Sequence, residues 1–328
     1  MSLIIRFKKL SDLFNKASVF YSPKSANYWH TITPCGITRK PGDIGRYYLD
    51  FSTKINYAQN KDENGIPLFE YLNEIPETYH PIAICQYALG LYDVYIAKAC
   101  NDEDIKDRFL AQSDWLLNNA VISDGSAVWY FNYPDKRYGI KPPWCSAMAQ
   151  GEAISVLCRA FKITGKDDYI NFAEKALLPF KKEISDGGVR NYFKGIVLYE
   201  EFPSDDITGV LNGFMFSLFG LYDLYLLNGS KTAITLFHEG AESIKSLLKY
   251  YDTGYWSRYD LFKYPLSNPA SYTYHELHVQ QLKVLYILTE EEIFLEYSEK
   301  WQRYEKGVSR KTRALINKFF YLKKIKAI

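Results

Sequence analysis

The sequence predicts a mainly α fold: an (α/α) toroid of helix hairpins, preceded by a short N-terminal β or irregular segment. Three observations predict it. Four apolar helical runs recur about every 60 to 70 residues, a long period that signals a repeat architecture. The first helix of each pair is apolar all round and the second is one-sided, as inner and outer helices of a ring require. Between the pairs lie loops rich in aromatic residues, Gly and Pro, which are set to emerge at one rim.

Residues 1 to about 17, MSLIIRFKKLSDLFNKA, place Leu3, Ile4, Phe7, Leu10 and Phe14 on one helical face with lysines between. Such a face docks on a domain or lies on a membrane surface. From 18 to 66, Pro, Gly, Asn and Ser punctuate short pieces such as ITPCGIT and RYYLDF, read as strands or an irregular hairpin. These residues, 1–66, form the expected first section. Residues 67–306 form the expected toroid. Its inner helices are HPIAICQYALGLYDVYIAKA, SAMAQGEAISVLCRAFKITG, LNGFMFSLFGLYDLYLLNG and HELHVQQLKVLYILT. Their outer partners are DIKDRFLAQSDWLLNNA, DDYINFAEKALLPF, KTAITLFHEGAESIKSLLKYY and EEIFLEYSEKWQRYEKG. Residues 307–328 are basic, lack any acid and read as an amphipathic helix that can contact anionic lipid or an acidic partner.

Composition narrows the function. Of 328 residues 47% are hydrophobic, enough for a large core, and the formal net charge of +2 gives no reason to expect a nucleic-acid partner. Five scattered cysteines without a CxxC fit a reducing compartment. The apolar LII at the start is cut short by RFKK, and no run reaches the roughly 18 to 20 residues of a membrane span. A soluble, cytoplasmic protein is expected, with peripheral contact at the inner membrane through the basic tail. The aromatic share of 17% suits a groove that packs sugar rings, and equally a tyrosine-rich core.

The densest stretch is Gly254 to His278, with five tyrosines, one tryptophan, two histidines, Arg258 and Asp260. It reads as a long ordered loop, and such loops are more often functional than connective. An anionic sugar needs cations, for which Arg137, Lys141, Arg190, Lys194 and Arg258 are the loop-borne candidates. Removing a proton beside a carboxylate needs a base on the correct face and stabilisation of the charge that develops. Tyr259 and Tyr274 are placed to work on opposite faces of a sugar. Proton removal from one face and delivery to the other is epimerisation, whereas one base with a glycosidic leaving oxygen gives a lyase. Glu200 and Glu201 are alternative acid/base groups, though neighbours in sequence point apart and would not flank one scissile bond. His275 and His278, one helical turn apart, have zinc-ligand spacing without an HExxH or a third ligand.

Seven ordered motifs then carry a resemblance: WCSAMAQGEAISVLCRAF from Trp144, DGGVR from Asp186, LYEEFPSDD from Leu198, VLNGFMFSLFGLYDL from Val210, LLKYYDTG from Leu247, RYDL from Arg258 and YHELHVQQL from Tyr274. Over roughly Gly65 to Gly307 the chain resembles the D-glucuronyl C5-epimerases of heparan sulfate and heparosan biosynthesis. The resemblance implies an (α/α) barrel that converts D-glucuronate to L-iduronate within a polymer, with no cofactor and no metal. It implies acid/base roles for Tyr259 and Tyr274, and makes Glu201 a third candidate. Arg258, His275, His278, Asn212, Trp144, Gln150, Tyr199 and Arg190 are the expected substrate-binding residues. Two departures stand out: Phe202 replaces a functional tyrosine of the family, and Phe262 an arginine. A polysaccharide lyase and a glycan-binding relative that has lost turnover are the alternatives. The expected partner is a glucuronate-containing polysaccharide; a homodimer and a biosynthetic complex are compatible, and nucleic acid is not.

Overall fold

A computed structural model describes residues 28–29, 33–35, 44–56, 60–71 and 75–325. The expected helix over residues 1 to 17 lies outside these. Among the described residues there are nine α-helices and three two-stranded antiparallel hairpins. The helices are α1 (Pro81–Ala97), α2 (Glu103–Asn119), α3 (Ala147–Thr164), α4 (Asp167–Lys175), α5 (Leu211–Asn228), α6 (Lys231–Tyr251), α7 (Tyr272–Thr289), α8 (Glu292–Glu305) and α9 (Val308–Ile325). The strands are β1 (Leu68–Tyr71), β2 (Ile75–Tyr79), β3 (Val121–Ser123), β4 (Ser126–Val128), β5 (Arg190–Phe193) and β6 (Ile196–Tyr199).

Local chemistry sets the helix starts. His80 Nδ1 accepts the Ala83 amide at 3.3 Å ahead of Pro81 at the first helical position of α1. Asp102 caps α2 by accepting from Ile105 N at 3.1 Å, with Glu103 and Asp104 following in the first turn. Ser146 caps α3, which stops at Gly165 in the left-handed conformation (φ 68°). Burial follows the inner and outer assignment: α1 is buried on nearly every side, whereas α2 buries only the stripe through Ile105, Phe109, Gln112, Ser113 and Leu116.

Two expectations change. The outer helix expected through Phe180 ends at Lys175, and a 3-10 turn, Leu178–Lys181, follows it. Pro179 has no amide to continue the α ladder. Two of the expected loops instead contain hairpins. Asp124–Gly125 and Lys194–Gly195, all at positive φ, join β3 to β4 and β5 to β6 in two-residue turns.

The described residues form two compact units, with Cys35–Gly209 and Gly213–Ile244 in the larger, and Val210–Asn212 and Lys245–Ile328 in the smaller. In the larger unit α3 and α5 cross at glycine: a Cβ at Gly220 would collide with the Gly151 carbonyl, and one at Gly151 with the Ser217 backbone. Beside this crossing, Asp223 accepts hydrogen bonds from Tyr48 Oη (2.9 Å), Ser155 Oγ (2.7 Å) and Arg159 Nη1 (2.6 Å), all buried. Asp93 accepts from the Tyr47 and Phe51 amides. The RYYLDF piece, expected as a strand or part of an irregular hairpin, is therefore a core segment tied to α1 and α5, followed by the 3-10 turn Ser52–Asn56. An isolated antiparallel bridge joins Cys35 to Leu49 among the described residues there.

Candidate functional site

In the smaller unit, the segment from Asp252 to Ser271 folds back on itself as a strap. Tyr259 N donates to Asn268 O at 2.8 Å, Ala270 N to Ser257 O at 2.9 Å, and Arg258 N to Tyr251 O at 2.7 Å. Leu211 N, at the start of α5, donates to Tyr259 O at 3.1 Å, so both backbone polar groups of Tyr259 are fixed. Ser271 caps α7 by accepting the Tyr274 amide, which sets Tyr274 in the first turn. The strap and the cap bring the two tyrosines together: their rings meet edge to face with centroids 5.0 Å apart. Tyr259 is buried, Tyr274 and Arg258 half-buried. Arg258 Nε has no hydrogen-bond partner among the described residues.

Behind this pair the two histidines hold the strap. Ser257 N donates to His275 Nδ1 at 3.1 Å, so that nitrogen carries a lone pair and His275 is neutral, with Nε2–H donating to Trp301 O at 3.0 Å. Ser257 Oγ lies 2.8 Å from His275 Nδ1 and 2.9 Å from His278 Nδ1. Burial pushes His275 down to about 3 and His278 well below the usual imidazole range. Trp256 stacks on His275 at 3.8 Å. Both nitrogens of His275 and one of His278 are thus engaged within the protein. Among the described residues no group of three His, Cys, Asp or Glu has the arrangement of a metal site. Asn212 is buried; its carbonyl accepts from Gln281 Nε2 at 3.0 Å, and its side-chain Oδ1 has no partner among the described residues.

The remaining sequence candidates belong to the larger unit. Glu200 and Glu201, adjacent and both buried, are used differently. Glu200 accepts from Thr208 Oγ1 (2.5 Å), Thr208 N (3.1 Å) and Gly209 N (2.8 Å), which folds the 200–209 loop around its carboxyl. Burial raises it, and these donors pull back, to about 7. Glu201 lies against Gly213, where a Cβ would collide with its side chain, and its Oε2 has no hydrogen-bond partner among the described residues. Burial raises it to about 8, with Arg137 opposing and Asp135 and Glu200 adding. That carboxyl is protonated at neutral pH and suited to donate.

Trp144 stacks on Phe131 at 4.1 Å and donates its indole N–H to Tyr133 O. Phe202, 5.5 Å from Trp144 and 5.2 Å from Tyr138, closes an aromatic cluster with the Arg137 guanidinium 4.7 Å from its ring centre. Gln150 is fully buried: Nε2 donates to Ala127 O, and Oε1 accepts from Trp129 N. Arg190 pairs with Glu239, which also accepts from Tyr199 Oη at 2.7 Å. Gln150, Tyr199 and Arg190 are therefore engaged with protein partners. Sequence reasoning missed Asn268 and Ser257, which anchor the strap. Their signal was present, since a lone Asn or Ser inside an aromatic loop is available to bind backbone.

Against known proteins, residues 123–303 match the family described as D-glucuronyl C5-epimerase C-terminus. The chain is 40% identical over 215 residues to a D-glucuronyl C5-epimerase of Caenorhabditis elegans, covering 61% of this chain and 35% of that protein. It is 34% identical over 179 residues to an uncharacterised protein of Methanocaldococcus jannaschii, covering 53% and 57%. The aligned stretches thus span about a third and about half of these relatives. Among solved structures, an α-1,6-mannanase from Salegentibacter superposes with a TM-score of 0.52 at 12% identity, over 78% of this chain and 68% of that one. Cellobiose 2-epimerase from Bacillus thermoamylovorans gives 0.51 at 10%, over 70% and 60%. Such low identities speak for the fold alone, which is the (α/α) toroid class.

Proposed function

This chain belongs to the D-glucuronyl C5-epimerase C-terminal family, and from that premise we propose that it is a uronyl C5-epimerase acting on a glucuronate-containing polysaccharide. The observation that carries the reading is the Tyr259–Tyr274 ring contact beside Arg258. A base removes the C5 proton, and the electron pair delocalises into the adjacent carboxylate. A proton delivered to C5 from the opposite face gives the inverted centre, so no atom is gained or lost. Arg258 faces the substrate carboxylate and stabilises the charge that develops there. Tyr259 and Tyr274 take up and return the proton through their hydroxyls. Glu201, protonated near neutrality, is the third proton carrier. Asn212 in the smaller unit and the Trp144 cluster in the larger are candidates for substrate binding; His275 and His278 hold the strap that carries Tyr259, while Gln150, Tyr199 and Arg190 bond within the larger unit.

The test is incubation with heparosan in deuterated water, followed by proton NMR of the uronate. Deuterium at C5 together with iduronate signals is the expected result. An unsaturated uronate would make the enzyme a lyase. Binding without C5 exchange on heparosan and on a second glucuronate polymer would leave a glycan-binding protein, in line with the hydroxyl missing at Phe202, and would end the epimerase reading.

A further inference from the structure

The C-terminal helix α9 lies beyond the family match, which ends at residue 303. Its basic sequence suggests a solvated tail, yet one face of it is turned to the strap. Lys311 lies 5.2 Å from the Tyr272 ring centre, Asn317 Nδ2 donates to Tyr255 Oη at 2.6 Å, and Tyr321 meets Tyr264 edge to face at 5.1 Å. In the middle of that face stands Lys318, 7% exposed. Its ammonium donates to Asn268 Oδ1 at 2.6 Å and to Pro269 O at 3.0 Å. Burying a lysine head is costly unless its protons are used, and here two protein oxygens use them.

Asn268 passes the contact on in two ways. An ammonium has only donors, so it dictates that Oδ1 of the amide faces α9 and that Nδ2 faces away. Nδ2 then donates to Asp260 Oδ2 at 2.7 Å, and Asp260 is fully buried. The Asn268 backbone carbonyl accepts the Tyr259 amide. One side chain on α9 therefore bears on both Tyr259 and Asp260. We propose that Lys318 is a positioning residue for the proton chemistry: through Asn268 it locks the strap so that the Tyr259 hydroxyl is held for reaction. Its catalytic consequence rests on the epimerase reading; the clamp itself does not.

Two measurements separate these. Amide hydrogen exchange on Lys318→Met should show residues 257–270 exchanging about tenfold faster or more, with α6 and the body of α7 unchanged. C5 deuterium exchange should show kcat lowered about 10- to 100-fold with KM within about twofold, because misplacement of a reacting group by an ångström costs on that order. Lys318→Arg keeps the donors and should recover part of kcat, while Lys323→Met, on the exposed side of α9, should move neither quantity. If Lys318→Met does not fold, Lys318→Gln is read in the same way. Unchanged protection of 257–270 overturns the clamp, and loosened protection with unchanged kcat overturns its role in positioning. Wild-type protein that exchanges C5 in no glucuronate polymer removes the epimerase reading, and the protection of 257–270 still decides the clamp.

Discussion

Several of the described tyrosines serve the architecture of the fold. Tyr48 donates to Asp223, Tyr169 to Asp114, Tyr199 to Glu239 and Tyr304 to Asp252; burial and the carboxylate acceptor favour the neutral phenol at Tyr169, Tyr199 and Tyr304. Tyr259 and Tyr274 are distinguished by being brought together in one place by a strap and a helix cap. Removing either hydroxyl keeps the ring that the other packs on, so Tyr259→Phe and Tyr274→Phe should retain the thermal unfolding midpoint within a few degrees. C5 exchange should fall about 10²- to 10⁴-fold, the usual worth of a positioned acid or base. Tyr169→Phe is the contrast: it removes a buried donor from Asp114, should cost about 1 kcal/mol in urea unfolding, and should leave kcat unaltered. A fall in activity common to all three would assign the loss to folding and dissolve the special status of the pair.

At the scale of elements, the helices were legible and the junctions were not. Eight of the helical segments match to within a few residues because an inner helix must be apolar all round and an outer one striped, and both patterns are visible in a linear sequence. The exception, the early end of α4 at Lys175, shows that Pro179 outweighed an otherwise helical stretch. The hairpin turns at Asp124–Gly125 and Lys194–Gly195 were legible in principle as turn dipeptides, but the aromatic content of those loops drew attention away from the backbone. Among the candidate residues, the tyrosines and Glu201 were named from motifs, whereas the service of His275 and His278 to Ser257 depends on a contact across 18 and 21 positions that no local pattern records. Glycine placement gives a sharper test. In a helix, Gly→Ala ordinarily adds up to about 1 kcal/mol of stability. At Gly213 in α5 the new methyl would meet the Glu201 carboxyl and its Cβ, and at Gly220 it would meet the Gly151 carbonyl. Gly220→Ala should therefore destabilise by about 1 to 3 kcal/mol, the range for overpacking a tight contact. Gly213→Ala should lower C5 exchange at least about tenfold by displacing Glu201. Urea titration and the deuterium assay read the two, and a gain of stability at either position would mean that the close approach is not maintained in solution.

Across the whole chain, buried acids decide how stability depends on pH. Glu201 is raised by burial to about 8, Glu200 by burial to about 7 against its hydrogen-bond donors, and Asp93 by burial to about 6 against the Tyr47 and Phe51 amides. Glu152, buried on α3 and accepting from Gln86 Nε2 at 3.0 Å, is also raised well above the carboxylate range. In the unfolded chain the same groups ionise near pH 4 to 4.5, as free carboxyls do. Between those limits the native state binds more protons than the unfolded state, so the stability these groups supply is present below about pH 4 and is lost as pH rises through 6, 7 and 8. Each such group contributes a slope of up to about 1.4 kcal/mol per pH unit within its own window. Buried His275 and His278 act oppositely: their depressed values favour folding as pH rises, but that gain is complete by about pH 7, above the free imidazole value. Between pH 7 and 8.5 the raised carboxyls therefore contribute a fall, which Lys54, lowered by burial to about 7, opposes with a rise over the same range. Glu201→Gln, which removes a proton equilibrium while keeping the side-chain shape, should flatten that fall and raise the urea midpoint at pH 8.5 above wild type. The same variant should abolish the limb near pH 8 in kcat/KM, if Glu201 carries a proton in the reaction. A Glu201→Gln protein whose stability still falls as steeply as wild type between pH 7 and 8.5 would show that Glu201 ionises freely in the fold, and its candidacy as the proton carrier held ready near neutrality would go with it.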